Sequence, residues 1–234
     1  MDIFSRSEPL FTKEGMEKLK NSHVAVFGLG GVGGNLALSL ARSGVGKITL
    51  VDFDTVSESN INRQALAFLS TVGRKKTDVA EEMIKDINPD CKVIKKDVFF
   101  SEETENLFDF SEFDYVADAI DFVKSKIRLI EICKEKDVPI ISSMGTGNKL
   151  CPERFMISDI SKTSVCPLAK VMRTELKKRG ISGVFVLWSD EEPIKTQSEN
   201  KEEKPVISSN SFCPPTAGLL ISSKIIKDVI KKEP

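Results

Sequence analysis

The chain reads as an α/β protein, with a mostly parallel, Rossmann-like sheet flanked by helices and a C-terminal extension. Three observations predict this. Short apolar runs alternate with segments of helical periodicity, a glycine-rich turn joins the first run to the first such segment, and acidic residues follow several runs.

Residues 23–27 (HVAVF) form an apolar run ending at Gly28, a first strand. Residues 35–42 follow the glycines with Leu36 and Leu40, and Ala37 and Ala41, at helical spacing. A second strand is predicted over 48–52. The next helix, 76–87, carries Val79, Met83, Ile84 and Ile87 on one face and stops at Asn88-Pro89. Further strands are expected at 93–94, 115–117 and 138–141, with a helix over 124–136 between the last two. Such alternation gives parallel pairing with crossover helices. Beyond Gly147 the pattern loosens, with a helix over 168–179 and a strand over 184–188. Residues 189–206 (SDEEPIKTQSENKEEKPV) are charged and poor in apolar side chains, which predicts a mobile loop. A helix over 217–230 sets Leu220, Ile221, Ile225 and Val229 against Lys224, Lys227 and Lys231; docking on the domain is expected, with a membrane surface as the alternative. The whole is expected to be one domain over 1–234, its core about 4–190 and its C-terminal segment and helix 207–234.

The 234 residues are 40% hydrophobic and 29% charged, enough for one substantial core. Thirty-four Lys and Arg against 35 Asp and Glu leave a net charge of −1, so nucleic-acid binding needs a local basic patch. No stretch approaches the roughly 20 apolar residues of a membrane span. Nor does the N-terminus resemble a signal peptide, and a cytoplasmic location is expected. Cys91, Cys133, Cys151, Cys166 and Cys213 contain no C-x-x-C pair, which disfavours a zinc knuckle and predicts reduced, mostly buried thiols. His23, at the start of the first strand, is read as structural.

Gly28-Leu29-Gly30-Gly31-Val32-Gly33 fits G-x-G-x-x-G between strand and helix, where backbone N–H groups approach phosphate oxygens. Asp52, 19 residues after Gly33, is placed to accept ribose hydroxyls. A nicotinamide dehydrogenase satisfies both observations, and so does a relic whose glycines serve only packing. The next segment separates the readings. Asp54, Asn60, Asn62, Arg63 and Gln64, joined by Lys76, supply polar groups that hydride transfer does not need and that suit a triphosphate from which pyrophosphate leaves. Asp118 and Asp121 end another strand at the same edge, where carboxylates hold Mg²⁺ against phosphates; helix capping by Asp121 is the alternative.

GLGGVGG, LVDFD, SNINRQ and DAID, in this order, resemble the adenylating domain of the ThiF, MoeB and ubiquitin-activating (E1) superfamily. The resemblance implies an adenylate-forming, ligase-type enzyme. It assigns ATP and Mg²⁺ to the glycine turn and to Asp52, Asn62, Arg63, Gln64, Lys76 and Asp121, with Asp121 on the metal. It further implies that Arg6 reaches the phosphates of a partner subunit, hence a homodimer; an exposed arginine with no such role is the alternative. The zinc cysteines usual in ThiF- and MoeB-like proteins are missing. Instead residues 143–149 (SMGTGNK), 157–163 (ISDISKT) and Pro167-Leu168-Ala169 with Arg173 resemble the tRNA threonylcarbamoyladenosine dehydratases. That family adenylates the threonyl carboxylate of N6-threonylcarbamoyladenosine at position 37 of tRNA and closes a ring with net loss of water. Where the family often has Asp-Pro, this chain has Cys151-Pro152 and Cys166-Pro167, which bears on any monovalent cation and leaves room for a sulfur-relay partner. The competing reading is adenylation of a ubiquitin-like or sulfur-carrier protein; a degenerate scaffold is a third. For tRNA, Lys170, Arg173 and Lys177 fall at i, i+3 and i+7 beside Lys178 and Arg179, a basic ridge or a plain solvated face.

Overall fold

The computed structural model describes residues 3–195 and 207–231. Seven strands, β1 His23–Phe27, β2 Lys47–Val51, β3 Lys92–Lys96, β4 Tyr115–Asp118, β5 Ile140–Ser143, β6 Phe155–Asp159 and β7 Phe185–Ser189, form one sheet in the order β3-β2-β1-β4-β5-β7-β6. All pairs are parallel except β6 with β7. The α/β expectation holds.

Six α-helices cover the sheet: α1 Glu8–Asn21, α2 Gly33–Arg42, α3 Lys76–Ile87, α4 Val123–Glu135, α5 Pro167–Lys178 and α6 Cys213–Lys231. Strand side chains alternate between two cores. Val24 and Val26 pack with α2, α3 and α6, whereas Ala25 and Phe27 pack with α4 and α5. Strand order reverses between β1 and β4, and a parallel sheet opens a crevice at the carboxyl ends of its strands there.

Several elements depart from the sequence reading. Helix α1 was not anticipated: it buries only Gly15 and Leu19 and is broken at Thr12 (φ 65°, ψ 162°), so its periodicity is faint. Strand β6 was also missed, since Phe155 is its only fully buried residue and it lies at the sheet edge. Strand β5 starts at Ile140, because Val138 N–H closes the preceding turn onto Cys133 O. The loop expected over 189–206 begins as ordered structure. Ser189 ends β7, and the buried Glu191 accepts the N–H groups of Leu150 and Cys151 at 2.8 and 3.1 Å; residues 196–206 lie outside the described residues.

Helix α6 docks as expected, with Ile221, Ile225 and Val229 in the core. It starts four residues earlier than its periodicity suggests, and its contact with α2 is close. A Cβ on Gly218 would sit 2.4 Å from Val32 O, so only glycine lets the two backbones approach this far. Among the described residues no helix is long and apolar enough to cross a membrane.

Candidate active site

The glycines of the turn do different work. Gly28 has φ +88°, and a Cβ there would lie 2.7 Å from Ala119 O; on Gly33 it would lie 1.7 Å from Gly28 O. Both are required by the chain's own packing. Gly31 lies against Pro214, at the start of α6. Around Gly30 nothing comes within 4 Å of a Cβ, so its bare backbone faces open space beside the N-terminus of α2. That is where phosphate oxygens meet N–H groups.

The end of β2 presents Asp52, whose Oδ2 accepts Leu29 N–H at 2.6 Å and whose Oδ1 accepts Asp54 N–H at 2.8 Å. Burial raises its pKa, opposed chiefly by the Lys76 charge. A carboxylate has about four lone-pair sites, so two remain for hydroxyl donors. Lys76, the first residue of α3, is 5% exposed, and its Nζ lies 2.8 Å from Asp54 Oδ2 and 4.0 Å from Asp52 Oδ1. The next polar cluster is folded by a short helical turn. Asn60 Oδ1 accepts Ser57 N–H at 3.2 Å, and Arg63 Nη1 donates to Ser59 O and to Asn62 Oδ1, both at 2.8 Å. Gln64 is buried, and its Oε1 has no hydrogen-bond partner among the described residues.

The end of β4 sets Asp118 and Asp121 in different surroundings. Asp118 is fully buried; its Oδ2 meets Lys126 Nζ at 3.0 Å and Ser142 Oγ at 2.5 Å, and its Oδ1 accepts Ile120 N–H at 3.1 Å. These three partners tie Asp118 into the interior, and it is only 1% exposed. Asp121 is exposed and makes no hydrogen bond or ion pair among the described residues. It does not cap α4, whose N-cap is Phe122.

These elements enclose a cavity of about 830 Å³. Gly28, Gly30, Gly31, Asp52 and Asp54 line it from the β1 and β2 ends, while Asn60, Arg63, Gln64, Lys76 and Asp121 line it from the segments beyond. Gly33, Asn62 and Asp118 do not line it; Gly33 and Asp118 are buried and Asn62 is exposed, and Arg6, also exposed, does not line it either. The sequence reading missed the wall from Ile207, Ser209 and Pro214, which no local pattern signals, and two phenylalanines, Phe53 and Phe99. Their rings meet edge to face at 5.2 Å, and Phe99 meets Phe122 at 5.6 Å, all three partly exposed. The Phe between two aspartates in LVDFD was the available signal.

The basic ridge is weaker than its spacing suggests. Arg173 donates to Thr163 O at 2.9 Å and to the Thr163 hydroxyl; Lys178 and Arg179 pair with Glu175, and Arg179 also with Glu131 at 2.8 Å. Lys170 and Lys177 remain exposed and unpaired among the described residues, and none of the three candidates lines the cavity. His23 is structural: Nδ1 meets Glu112 O at 2.9 Å and Nε2 meets Thr49 Oγ1 at 2.8 Å. All five thiols are free; Cys151 is half-buried and the other four are buried.

The sequence pattern of the ThiF family matches residues 4–233. The chain belongs to the ThiF family. It is 49% identical to the tRNA threonylcarbamoyladenosine dehydratase of Bacillus subtilis strain 168, over 97% of this chain and 94% of that protein. The enzyme of the same name from Escherichia coli strain K12 is 34% identical over 84% of this chain and 76% of its own length. Among solved structures, the E. coli tRNA N6-threonylcarbamoyladenosine dehydratase, TcdA, in complex with ATP superposes with a TM-score of 0.89 at 31% identity, covering 97% of this chain and 93% of that one. The family thus extends beyond the core to α6.

Proposed function

We propose that this chain is an ATP-dependent tRNA threonylcarbamoyladenosine dehydratase that adenylates the threonyl carboxylate of the modified adenosine at position 37. The observation that carries the reading is the convergence of Arg63, Lys76 and Gln64 on the cavity beside bare Gly30. Relatives of the same name, similar over nearly the whole chain, point the same way.

In this reading the α2 N-terminus and the glycine backbone receive the phosphates, and Asp52 orients the ribose. Lys76 and Arg63 hold charge that accumulates as the carboxylate oxygen attacks the α-phosphorus and pyrophosphate departs. Lys76 is buried between two aspartates and so is fixed before ATP arrives. The carbamoyl group then attacks the acyl-adenylate, AMP leaves with the carboxylate oxygen, and the ring closes with net loss of one water. Because both partners of that step belong to one nucleoside, orientation supplies a large effective molarity and no enzymatic nucleophile is needed.

Asp121 fits Mg²⁺, which takes one or two protein carboxylates together with substrate phosphates. Among the described residues no cluster of three or more His, Cys, Asp or Glu could hold a metal unaided, so the phosphates would complete the set. The ion would neutralise phosphate charge. For a monovalent cation, Cys151 and Cys166 offer thiols where the family often has carboxylates, and this reading gives them structural roles. A homodimer in which Arg6 completes the neighbour's site belongs to the proposal, as does tRNA contact through Lys170 and Lys177.

The test incubates the protein with ATP, Mg²⁺ and threonylcarbamoyl-modified tRNA and measures nucleoside mass. Loss of one water, with AMP and pyrophosphate released, is expected. No loss, together with adenylation of a carrier-protein C-terminus, overturns the reading. Arg63→Ala should lower AMP formation at least a hundredfold, in line with removal of one transition-state donor.

A further inference from the structure

Asn62 does not line the cavity, yet it is fixed on both sides. Its Oδ1 accepts Arg63 Nη1 at 2.8 Å, and its Nδ2 donates to Ser209 O at 3.1 Å. Ser209 belongs to a strap, residues 207–210, that forms one wall of the cavity and leads into α6. The strap is held by the loop after β5. Asn148 N–H donates to Ser208 O at 2.8 Å, and Asn148 Oδ1 accepts Ser208 N–H at 2.7 Å. Asn148 O also accepts Ile194 N–H at 2.8 Å, and Asn210 Nδ2 donates to Lys149 O at 2.7 Å.

This loop is shaped for the strap. Asn148 sits at φ +57°, a conformation that asparagine tolerates better than other side chains. A Cβ on the preceding Gly147 would lie 2.4 Å from Ile207 Cγ2, so a glycine there lets the strap close onto the loop.

We propose that Asn148 is a positioning residue for Arg63, acting through Ser208, Ser209 and Asn62. The proposal rests on the reading of Arg63 as a phosphate-contacting residue. Arg63 is a half-buried side chain with several rotatable bonds, and two carbonyl acceptors, Ser59 O and Asn62 Oδ1, choose its rotamer. The second acceptor is on a side chain, so its direction depends on what holds the amide's other end. That is the strap, and the strap's register at Ser208 is fixed by the two bonds to Asn148. The segment SMGTGNK thereby takes part in nucleotide binding through its single asparagine, without that side chain touching the nucleotide.

The test is a thermodynamic cycle on the full chain, read as the Kd for ATP with Mg²⁺ by calorimetry. Asn148→Gly keeps the positive φ and the backbone bonds and removes only the Oδ1 acceptor; Asn148→Asp restores an acceptor. Asn148→Gly should weaken ATP binding about three- to tenfold, the size of one hydrogen bond, and Asn148→Asp should stay within about twofold of the parent protein. In an Arg63→Ala background, Asn148→Gly should add nothing, because coupled residues are not additive. Unchanged affinity in Asn148→Gly, or its full penalty persisting on top of Arg63→Ala, overturns the relay while leaving the role of Arg63 intact. If Arg63→Ala alone leaves ATP affinity and turnover unchanged, the phosphate role fails and the relay falls with it.

Discussion

Lys126 Nζ lies 3.0 Å from Asp118 Oδ2, with both side chains wholly out of solvent, and the same ammonium donates to Ile120 O at 3.0 Å. Asp118 Oδ1 takes the N–H of the same Ile120, so the ion pair grips both polar backbone groups of the residue before Asp121. Removing one partner of such a pair strands a buried charge. Lys126→Met should cost about 3–5 kcal/mol in denaturant melts. Adding Asp118→Asn should restore part of that loss; no recovery would mean that packing, and not charge, makes Lys126 matter.

Gln64 offers the opposite case, a buried polar atom left without compensation. Its Oε1 is buried without a partner among the described residues. Gln64→Met should leave the melting temperature without nucleotide unchanged or raised, since an unsatisfied group costs about 1–3 kcal/mol. The same variant should lose much of the upward shift produced by saturating ATP. An undiminished shift would remove Gln64 from the nucleotide site.

His23 is the only histidine, so its titration can be isolated. Burial, then the nearby Lys47 charge, lowers its pKa from about 6.5. Below that value the unfolded chain binds a proton that the folded chain refuses. The stability His23 contributes is therefore complete above about pH 6.5 and declines as pH falls toward the lowered value. His23→Gln should flatten this part of the stability profile, measured by urea midpoints at half-unit intervals; an unaltered slope would show that carboxylates cause it.

The cysteines should separate by accessibility. Burial pushes the Cys91 thiol up to about 11 and raises Cys133 further. Cys166 and Cys213 are also enclosed. With a maleimide at pH 8, the folded protein should label first at Cys151, and more slowly than a free thiol because burial and then Glu191 raise its pKa. Rapid labelling of Cys166, read by peptide mass, would show that the start of α5 opens in solution.

The strands and helices that build the site were legible because each has a continuous apolar run or one apolar face, as in β1 and α3. The division of labour between Asp118 and Asp121 was not. DAID displays two equivalent carboxylates, and the partner that distinguishes them lies one helix further on. Lys126 among Ile127, Leu129 and Ile130 was a charge set inside an apolar segment, and that was the available clue. The basic spacing of α5 was correctly seen, but the pairing of the flanking Lys178 and Arg179 depends on Glu175 within the helix and, for Arg179, on Glu131 across on α4, a contact that only packing creates. The wall from 207–214 was invisible for the same reason: its residues meet Gly31 and Asn62 only after the chain has crossed the sheet.

The three roles within one glycine turn bear on how such motifs age. A descendant that ceased to use ATP would still be compelled to retain Gly28 and Gly33, because the polypeptide itself occupies the space of any side chain there. Gly30 is free of that constraint, since nothing lies within 4 Å of a Cβ there and only the proposed nucleotide would require it. Mutational drift at that single position, with its neighbours intact, would therefore mark a lineage in which nucleotide chemistry has been abandoned while the architecture endures.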